Sequence, residues 1–318
     1  MELMEELGLT GIVPVAVIED AEHAVPAAQA MADGGINAME ITMRTAAALD
    51  SMEKVALNCK NVIVGAGTVL TLDDEKRCLD RGARFIVSPG FNAEMADYSV
   101  RSHIPYLPGC VTPTEIMEAM TYGLSVLKFF PANIYGGLKG MKALSGPFPG
   151  IKFLPTGGIN ADNLSEYLAA DFIHAVGGSW VCAKADISEG NYEKIRALSE
   201  EAVRTAMGFS VAHIGINSEN AAAAAEAAKT FEKAFGFDCR EGNSSIFASS
   251  GIEIMKSPYL GSKGHLAIYT NQVERAVAYL EKKGFTADES TFKRKNGRLS
   301  AAYLTGETGG FAVHLVRR

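Results

Sequence analysis

Residues 151–180 read IKFLPTGGINADNLSEYLAADFIHAVGGSW. An apolar run, IKFLP, breaks on Gly157–Gly158; a segment of helical periodicity follows; a second apolar run, FIHAV, breaks on Gly177–Gly178. Strand, glycine turn, helix and strand again is the repeat of a parallel sheet with right-handed crossovers. Six similar runs precede it: GIVPVAVI (11–18), INAMEIT (36–42), NVIVGAG (61–67), ARFIVSP (83–89), IPYLPG (104–109) and SVLKFFP (125–131). Eight units in about 200 residues predict a closed (β/α)8 TIM barrel over residues 1–207. The alternative, an open doubly wound sheet, calls for a G-x-G-x-x-G turn after its first strand, whereas the glycine-rich turns here follow the last two.

The helical stretch 191–207 closes this region, and the pattern then changes. VAHIGIN (211–217), an Ala-rich helix to Phe235 and short runs near 237–239, 245–248 and 252–255 form one series. HLAIYT (265–270), a helix over 272–283 and runs near 285–287, 299–304 and 311–316 form another. AHIGIN resembles GHLAIY and FEKAFGF resembles YLEKKGF, so residues 208–318 are expected to form a smaller α+β domain of two βαβββ units.

The 318 residues are 47% apolar and 21% charged, enough for two domains with separate cores, which excludes disordered and fibrous classes. The formal charge of −7 argues against a nucleic-acid partner. The acidity belongs to the barrel, with 16 Lys/Arg against 26 Asp/Glu up to residue 207 and 14 against 11 after it. No run of 18 apolar residues occurs, and MELMEELGLT is too acidic for a signal peptide; a cytoplasmic protein without a membrane partner is expected. The five cysteines, Cys59, Cys78, Cys110, Cys182 and Cys239, have no metal-ligand or disulfide spacing and read as free thiols. Cys110 has no His neighbour in sequence to make it a nucleophile.

Loops after the strand ends of such a barrel converge on one face. Lys128, within VLKFFPA, is the sharpest feature. An amine among Leu and Phe side chains is favoured in its uncharged form, which can attack a ketone to give a Schiff base; the bland alternative is a lysine snorkelling from a strand end. Glu40, between Met39 and Ile41, is a carboxyl group facing the barrel interior, suited to proton transfer or simply paired with Lys128 or Arg44. Arg44 has the planar fork for a substrate carboxylate. The turns at Thr156, Gly157 and Gly158 and at Gly178 and Ser179 follow the last two strands, where backbone N–H groups commonly bind phosphate.

MEITMRT, VGAGTVL, SPG, LKFFPA, PTGGI and GGSW, in this order and spacing over residues 8–205, resemble the 2-keto-3-deoxy-6-phosphogluconate (KDPG) and 4-hydroxy-2-oxoglutarate (KHG) aldolases. The resemblance implies a class I lyase of carbohydrate metabolism, metal-independent and homotrimeric. Lys128 would then be its Schiff-base lysine and Glu40 its proton-transfer residue. Arg44, Thr68 and Pro89 would hold the pyruvoyl end, and Gly157, Gly158 and Ser179 the phosphate. Asn133 departs from an acidic residue of some relatives, which bears on substrate fit. The rival reading of the barrel is a noncatalytic phosphate-binding scaffold.

Residues 209–316 resemble the vicinal-oxygen-chelate superfamily of glyoxalases and dioxygenases. His213 and His265 open the two units and Glu253 and His314 close them, four positions that bind a divalent metal in some members. Histidine at the last position is a departure, and a metal here stays an open possibility. A second enzyme, a ligand-sensing domain and an oligomer-stabilising appendage are the alternatives for this half.

Overall fold

The computed structural model describes residues 3–318, which form two compact units dividing between Ala206 and Met207. In the first, eight strands follow in chain order: β1 (Ile12–Ala16), β2 (Ala38–Thr42), β3 (Ile63–Gly67), β4 (Ile86–Val87), β5 (Tyr106–Leu107), β6 (Val126–Phe129), β7 (Lys152–Pro155) and β8 (Val176–Gly178). Parallel pairing gives the order β5-β4-β3-β2-β1-β8, and β6 pairs with β7. Parallel bridges Gly109–Lys128 and Thr156–Gly177 join the two groups, so the ring closes into a (β/α)8 barrel. All residues of β1, β2 and β3 are buried, as expected of strands covered on both faces.

Helices α1 (Leu3–Thr10), α2 (Ala24–Asp33), α3 (Ala48–Asn58), α4 (Leu72–Asp80) and α5 (Ala93–Arg101) precede or separate the first five strands. Helices α6 (Pro113–Thr121), α7 (Gly137–Ser145) and α8 (Leu164–Ala169) separate the last four, and α9 (Lys184–Ser188) and α10 (Tyr192–Met207) follow. Two details differ from the sequence expectation. The runs 83–89 and 104–109 yield only two paired residues each, because Pro89, Pro105 and Pro108 have no N–H to give to a ladder. Helix α1 is absent from a reading that takes MELMEELGLT merely as acidic. Its Leu7, fully buried, packs among Val13, Ala38 and Ile63 near the starts of β1, β2 and β3. It therefore closes the N-terminal end of the barrel and leaves the opposite end to the loops that carry polar residues.

The second unit is one eight-stranded mixed sheet. Its elements run β9 (Ser210–Asn217), α11 (Ala221–Phe235), β10 (Cys239–Glu241), β11 (Ser245–Ala248) and β12 (Ile252–Met255), then β13 (Gly264–Thr270), α12 (Val273–Glu281), β14 (Ala287–Lys295), β15 (Arg298–Thr308) and β16 (Phe311–Arg317). The strand order is β10-β11-β12-β9-β13-β16-β15-β14, with β9 and β13 antiparallel at the centre. Ala224 and Ala228 of α11 pack on Ile246, Ala248 and Ile254; small helix residues let the backbone approach the sheet closely. Among the described residues, no helix is long and apolar enough to cross a membrane.

Candidate active site

Strand β6 presents Lys128 to the barrel interior. Its backbone is fixed on the β5 side, its N–H donating to Pro108 O and its C=O accepting from Cys110 N–H, both at 2.9 Å. The side-chain nitrogen lies 3.2 Å from Glu40 Oε1, although the residues are 88 positions apart. Lys128 is 5% exposed and Glu40 fully buried. The Nζ also lies 5.4 Å from the centre of the Phe130 ring. Glu40 occupies this place because Gly67 has no side chain: a Cβ there would fall 2.1 Å from Glu40 Oε1. Glu40 Oε2 has no hydrogen-bond partner among the described residues, which leaves a buried acceptor beside the amine.

The other expected residues follow strand C-termini. Arg44 is exposed after β2, and Thr68, half-buried, follows β3 in the left-handed region at φ 57°. Pro89 is exposed after β4, and its carbonyl oxygen packs directly on Gly109, where a Cβ would come within 2.0 Å of it. Thr156, at the end of β7, donates its N–H to Phe129 O at 3.0 Å. Its buried hydroxyl has no partner among the described residues and fills the space left by Gly177. Gly157 and Gly158 are both left-handed, at φ 96° and 80°, a succession that L side chains resist. Asn133 donates its N–H to Gly157 O and packs its side chain against Gly158. Gly178 is buried against the Trp180 ring and Ser179 is exposed. The structure thus brings Lys128 and Glu40 into contact and places the remaining residues in loops of the same barrel end.

Cys110 is buried, and burial pushes its thiol up to about 12, so it is no nucleophile at neutral pH. Sequence reasoning missed a buried hydroxyl pair. Tyr106, in β5, lies 2.8 Å from Ser88, just after β4, and Ser88 Oγ donates to Gly90 O. A hydroxyl inside an apolar run carries no signal in sequence beyond its identity.

In the second unit, register puts four polar side chains on one face. His213 is opposite Ala267, His314 is opposite the same Ala267, and His265 and Glu253 are both opposite Gly215. A Cβ on Gly215 would strike the His265 ring at 2.0 Å, so glycine is what admits that ring. Glu253 Oε2 lies 3.1 Å from Nε2 of both His213 and His265, and those two nitrogens are 3.2 Å apart. Ser245 Oγ donates to the other carboxylate oxygen at 2.6 Å. Burial opposes ionisation of Glu253, but hydrogen bonds from His213, His265 and Ser245 outweigh it and hold the carboxyl well below its usual range. Ring nitrogens of His213, His265 and His314 lie within 4.8 Å of one another. His314 stacks on Tyr303, and burial, reinforced by the neighbouring His265 and His213, lowers it to about 3, which keeps the ring neutral. A cleft of about 500 Å³ at this unit is lined by His213, Arg240, Ser245, Phe247 and Tyr269 among others.

Comparison with known proteins bears on the first unit. A sequence description of the KDPG and KHG aldolase family matches residues 3–198. The chain is 40% identical over 202 residues to the 2-dehydro-3-deoxy-phosphogluconate aldolase of Treponema pallidum, covering 64% of this chain and 96% of that one. It is likewise 40% identical over 203 residues to the KHG/KDPG aldolase of Escherichia coli, covering 64% and 95%. Among solved structures, the KDPG aldolase of Legionella pneumophila, with pyruvate captured as a covalent carbinolamine intermediate, superposes with a TM-score of 0.61 at 37% identity, covering 63% and 98%.

Proposed function

The chain belongs to the KDPG and KHG aldolase family, and from that premise we propose that its barrel performs aldol cleavage through a Schiff base on Lys128. Its substrates are 2-keto-3-deoxy-6-phosphogluconate, giving pyruvate and glyceraldehyde 3-phosphate, and/or 4-hydroxy-2-oxoglutarate, giving pyruvate and glyoxylate. The contact that carries the reading is Lys128 Nζ to Glu40 Oε1 at 3.2 Å, an amine and a carboxyl group together in a nearly water-free barrel end.

The uncharged amine adds to the C2 ketone, and loss of water from the carbinolamine leaves an imine. Glu40, directly or through a water, carries the protons of this step and then takes the C4 hydroxyl proton. The C3–C4 bond breaks, its electron pair passes through the imine to nitrogen, and the aldehyde leaves. The enamine on Lys128 is protonated at C3, and hydrolysis releases pyruvate and the free amine. Arg44, Thr68 and Pro89 are read as holding the pyruvoyl end. Gly157, Gly158 and Ser179, with Thr156 and Gly178 shaping their turns, are read as holding the phosphate or distal carboxylate. The competing reading, a noncatalytic phosphate-binding barrel, gives Lys128 no role. An assay of keto-acid cleavage coupled to pyruvate detection tests the choice: turnover lost in Lys128→Met supports the aldolase, and turnover retained in that variant contradicts it. The same family reading carries a cytoplasmic homotrimer, which sedimentation of the purified chain tests.

For the second unit, the register of its elements favours two βαβββ units and a vicinal-oxygen-chelate fold. Three of its four polar residues, His213, His265 and His314, bring ring nitrogens within 4.8 Å of one another, a spacing that fits a divalent metal. Two imidazole nitrogens 3.2 Å apart, each 3.1 Å from one carboxylate oxygen, are spaced as neighbours around a single ion, which their lone pairs would meet once the protons they give to Glu253 are displaced. His213, His265 and His314 would hold the ion, with Glu253 beside the first two, and the ion would supply Lewis-acid polarisation of a bound oxygen. Ser245 fixes the carboxylate and Tyr303 the His314 ring. Dialysis of the whole chain against zinc or nickel, followed by metal analysis, should give one ion per chain, lost when His213 and His265 are both replaced by Ala. A chain that takes up no ion contradicts this reading.

A further inference from the structure

The Ser88–Asn92 segment follows β4 and contains Pro89, and the way it is fastened assigns a role to a residue outside the motifs of the barrel. Ser88 and Tyr106 are 2% and 3% exposed, so their hydroxyls must bond to protein or pay the full cost of desolvation. The directions of these bonds are forced. Gly90 offers a carbonyl, which only accepts, and Ser88 gives it its single proton. Ser88 can then only accept from Tyr106, whose proton is used in turn at 2.8 Å. The result is one directed chain, Tyr106 to Ser88 to Gly90 C=O, which ties the start of the Pro89–Phe91 turn to strand β5.

That turn abuts the reactive strand. Pro89 O packs on the Cα of Gly109, and Gly109 forms the parallel bridge to Lys128. A shift of the turn along β5 therefore moves the Pro89 carbonyl relative to the strand that carries the amine. Asn92 also caps α5, its side chain accepting from Met95 N–H at 3.1 Å, so the far end of the turn is anchored to a helix. Phe91, between the two tied ends, lies against the Tyr122 ring at 5.6 Å.

We propose that Tyr106 is a positioning residue for the aldolase site: through Ser88 it sets the Pro89–Gly90 turn at the height where that turn meets the pyruvoyl end of the substrate. The inference rests on the reading of Pro89 as part of the pyruvoyl site. Tyr106 touches no reacting atom. Its hydroxyl acts on binding of the keto acid and leaves the chemistry of Lys128 and Glu40 alone.

The test is borohydride trapping with pyruvate as the probe, followed by intact mass, on the full chain. For Tyr106→Phe, which keeps the ring and removes only the hydroxyl, the pyruvate concentration giving half-maximal trapping should rise about three- to tenfold, the scale of one lost hydrogen bond. The trapping rate at saturating pyruvate should stay within about twofold of the parent. Ser88→Ala should shift half-saturation to a similar degree, and the double variant should do no more than either single one, because all three break the same chain. Unchanged half-saturation in Tyr106→Phe, or single effects that multiply in the double variant, would overturn the assignment even if the thermal midpoint falls. A parent enzyme that pyruvate and borohydride do not label would overturn the aldolase reading itself, and a parent that is labelled normally separates the two failures.

Discussion

The pairing of Lys128 with Glu40 couples stability to chemistry in one contact. Removing one member of a buried hydrogen-bonded pair leaves the other without its partner, so Glu40→Ala should lower unfolding stability by about 1–3 kcal/mol, read from the denaturation midpoint in urea. Glu40→Gln keeps the shape and removes the base; kcat for keto-acid cleavage should fall by about 10²–10⁴ while KM changes little, a split that steady-state kinetics resolves. A second buried acid gives a pH signature. Glu75 is fully buried, and burial raises its carboxyl above the usual range despite a hydrogen bond from Ser99 Oγ at 2.5 Å. The unfolded chain then releases this proton at lower pH than the folded one, so the stabilising proton is retained below the unfolded pKa and its benefit is lost as pH rises past it. Glu75→Gln should therefore gain thermal midpoint relative to the parent at pH 7 and lose that advantage near pH 4; a constant difference across this range would contradict it. Lys128 and Glu40 were legible in sequence because each is a charge inside an apolar run. Tyr106 and Ser88 were not, since their pairing depends on which strand ends meet.

At the scale of elements, two small features place the machinery. Gly67 clears the space that Glu40 fills, so Gly67→Ala should push the carboxyl away from Lys128 and cost cleavage activity more than it costs thermal stability, checked by measuring kcat and melting on one preparation. Leu7 plugs the barrel from α1, and Leu7→Ala should cost about 2–5 kcal/mol in urea unfolding, as large-to-small core changes do. The eight barrel strands were legible because apolar runs recur between helical segments, whereas α1 was hidden by the acidic pair Glu5 and Glu6 beside its one buried leucine, Leu7. The hairpin of β14 and β15 was also under-read. β14 and β15 extend to Lys295 and Arg298 through a run of basic residues with no apolar alternation. The signal lay in the turn itself: Asn296 and Gly297, at φ 52° and 79°, are the pair that a two-residue hairpin favours.

Across the whole molecule, the chain carries one unit whose relatives are known by their chemistry and one whose polar face is known from its own geometry. The family match ends at residue 198, and the four-residue constellation of the second unit was found through the weak repeat of AHIGIN in GHLAIY, a resemblance that survives because both segments open equivalent strands at the centre of one sheet. Exhaustive chelation of the full chain should strip any ion from His213, His265 and His314 and leave keto-acid cleavage unchanged, since the proposed cleavage uses an amine and a carboxyl group; activity that falls with metal removal and returns with metal would contradict a Schiff-base route. The most direct measurement is peptide mass mapping after borohydride reduction in the presence of pyruvate. The account predicts irreversible inactivation with one reduced pyruvate attached at Lys128, absent without pyruvate and absent in Lys128→Met. An adduct on another lysine, or an active enzyme with none, would contradict it.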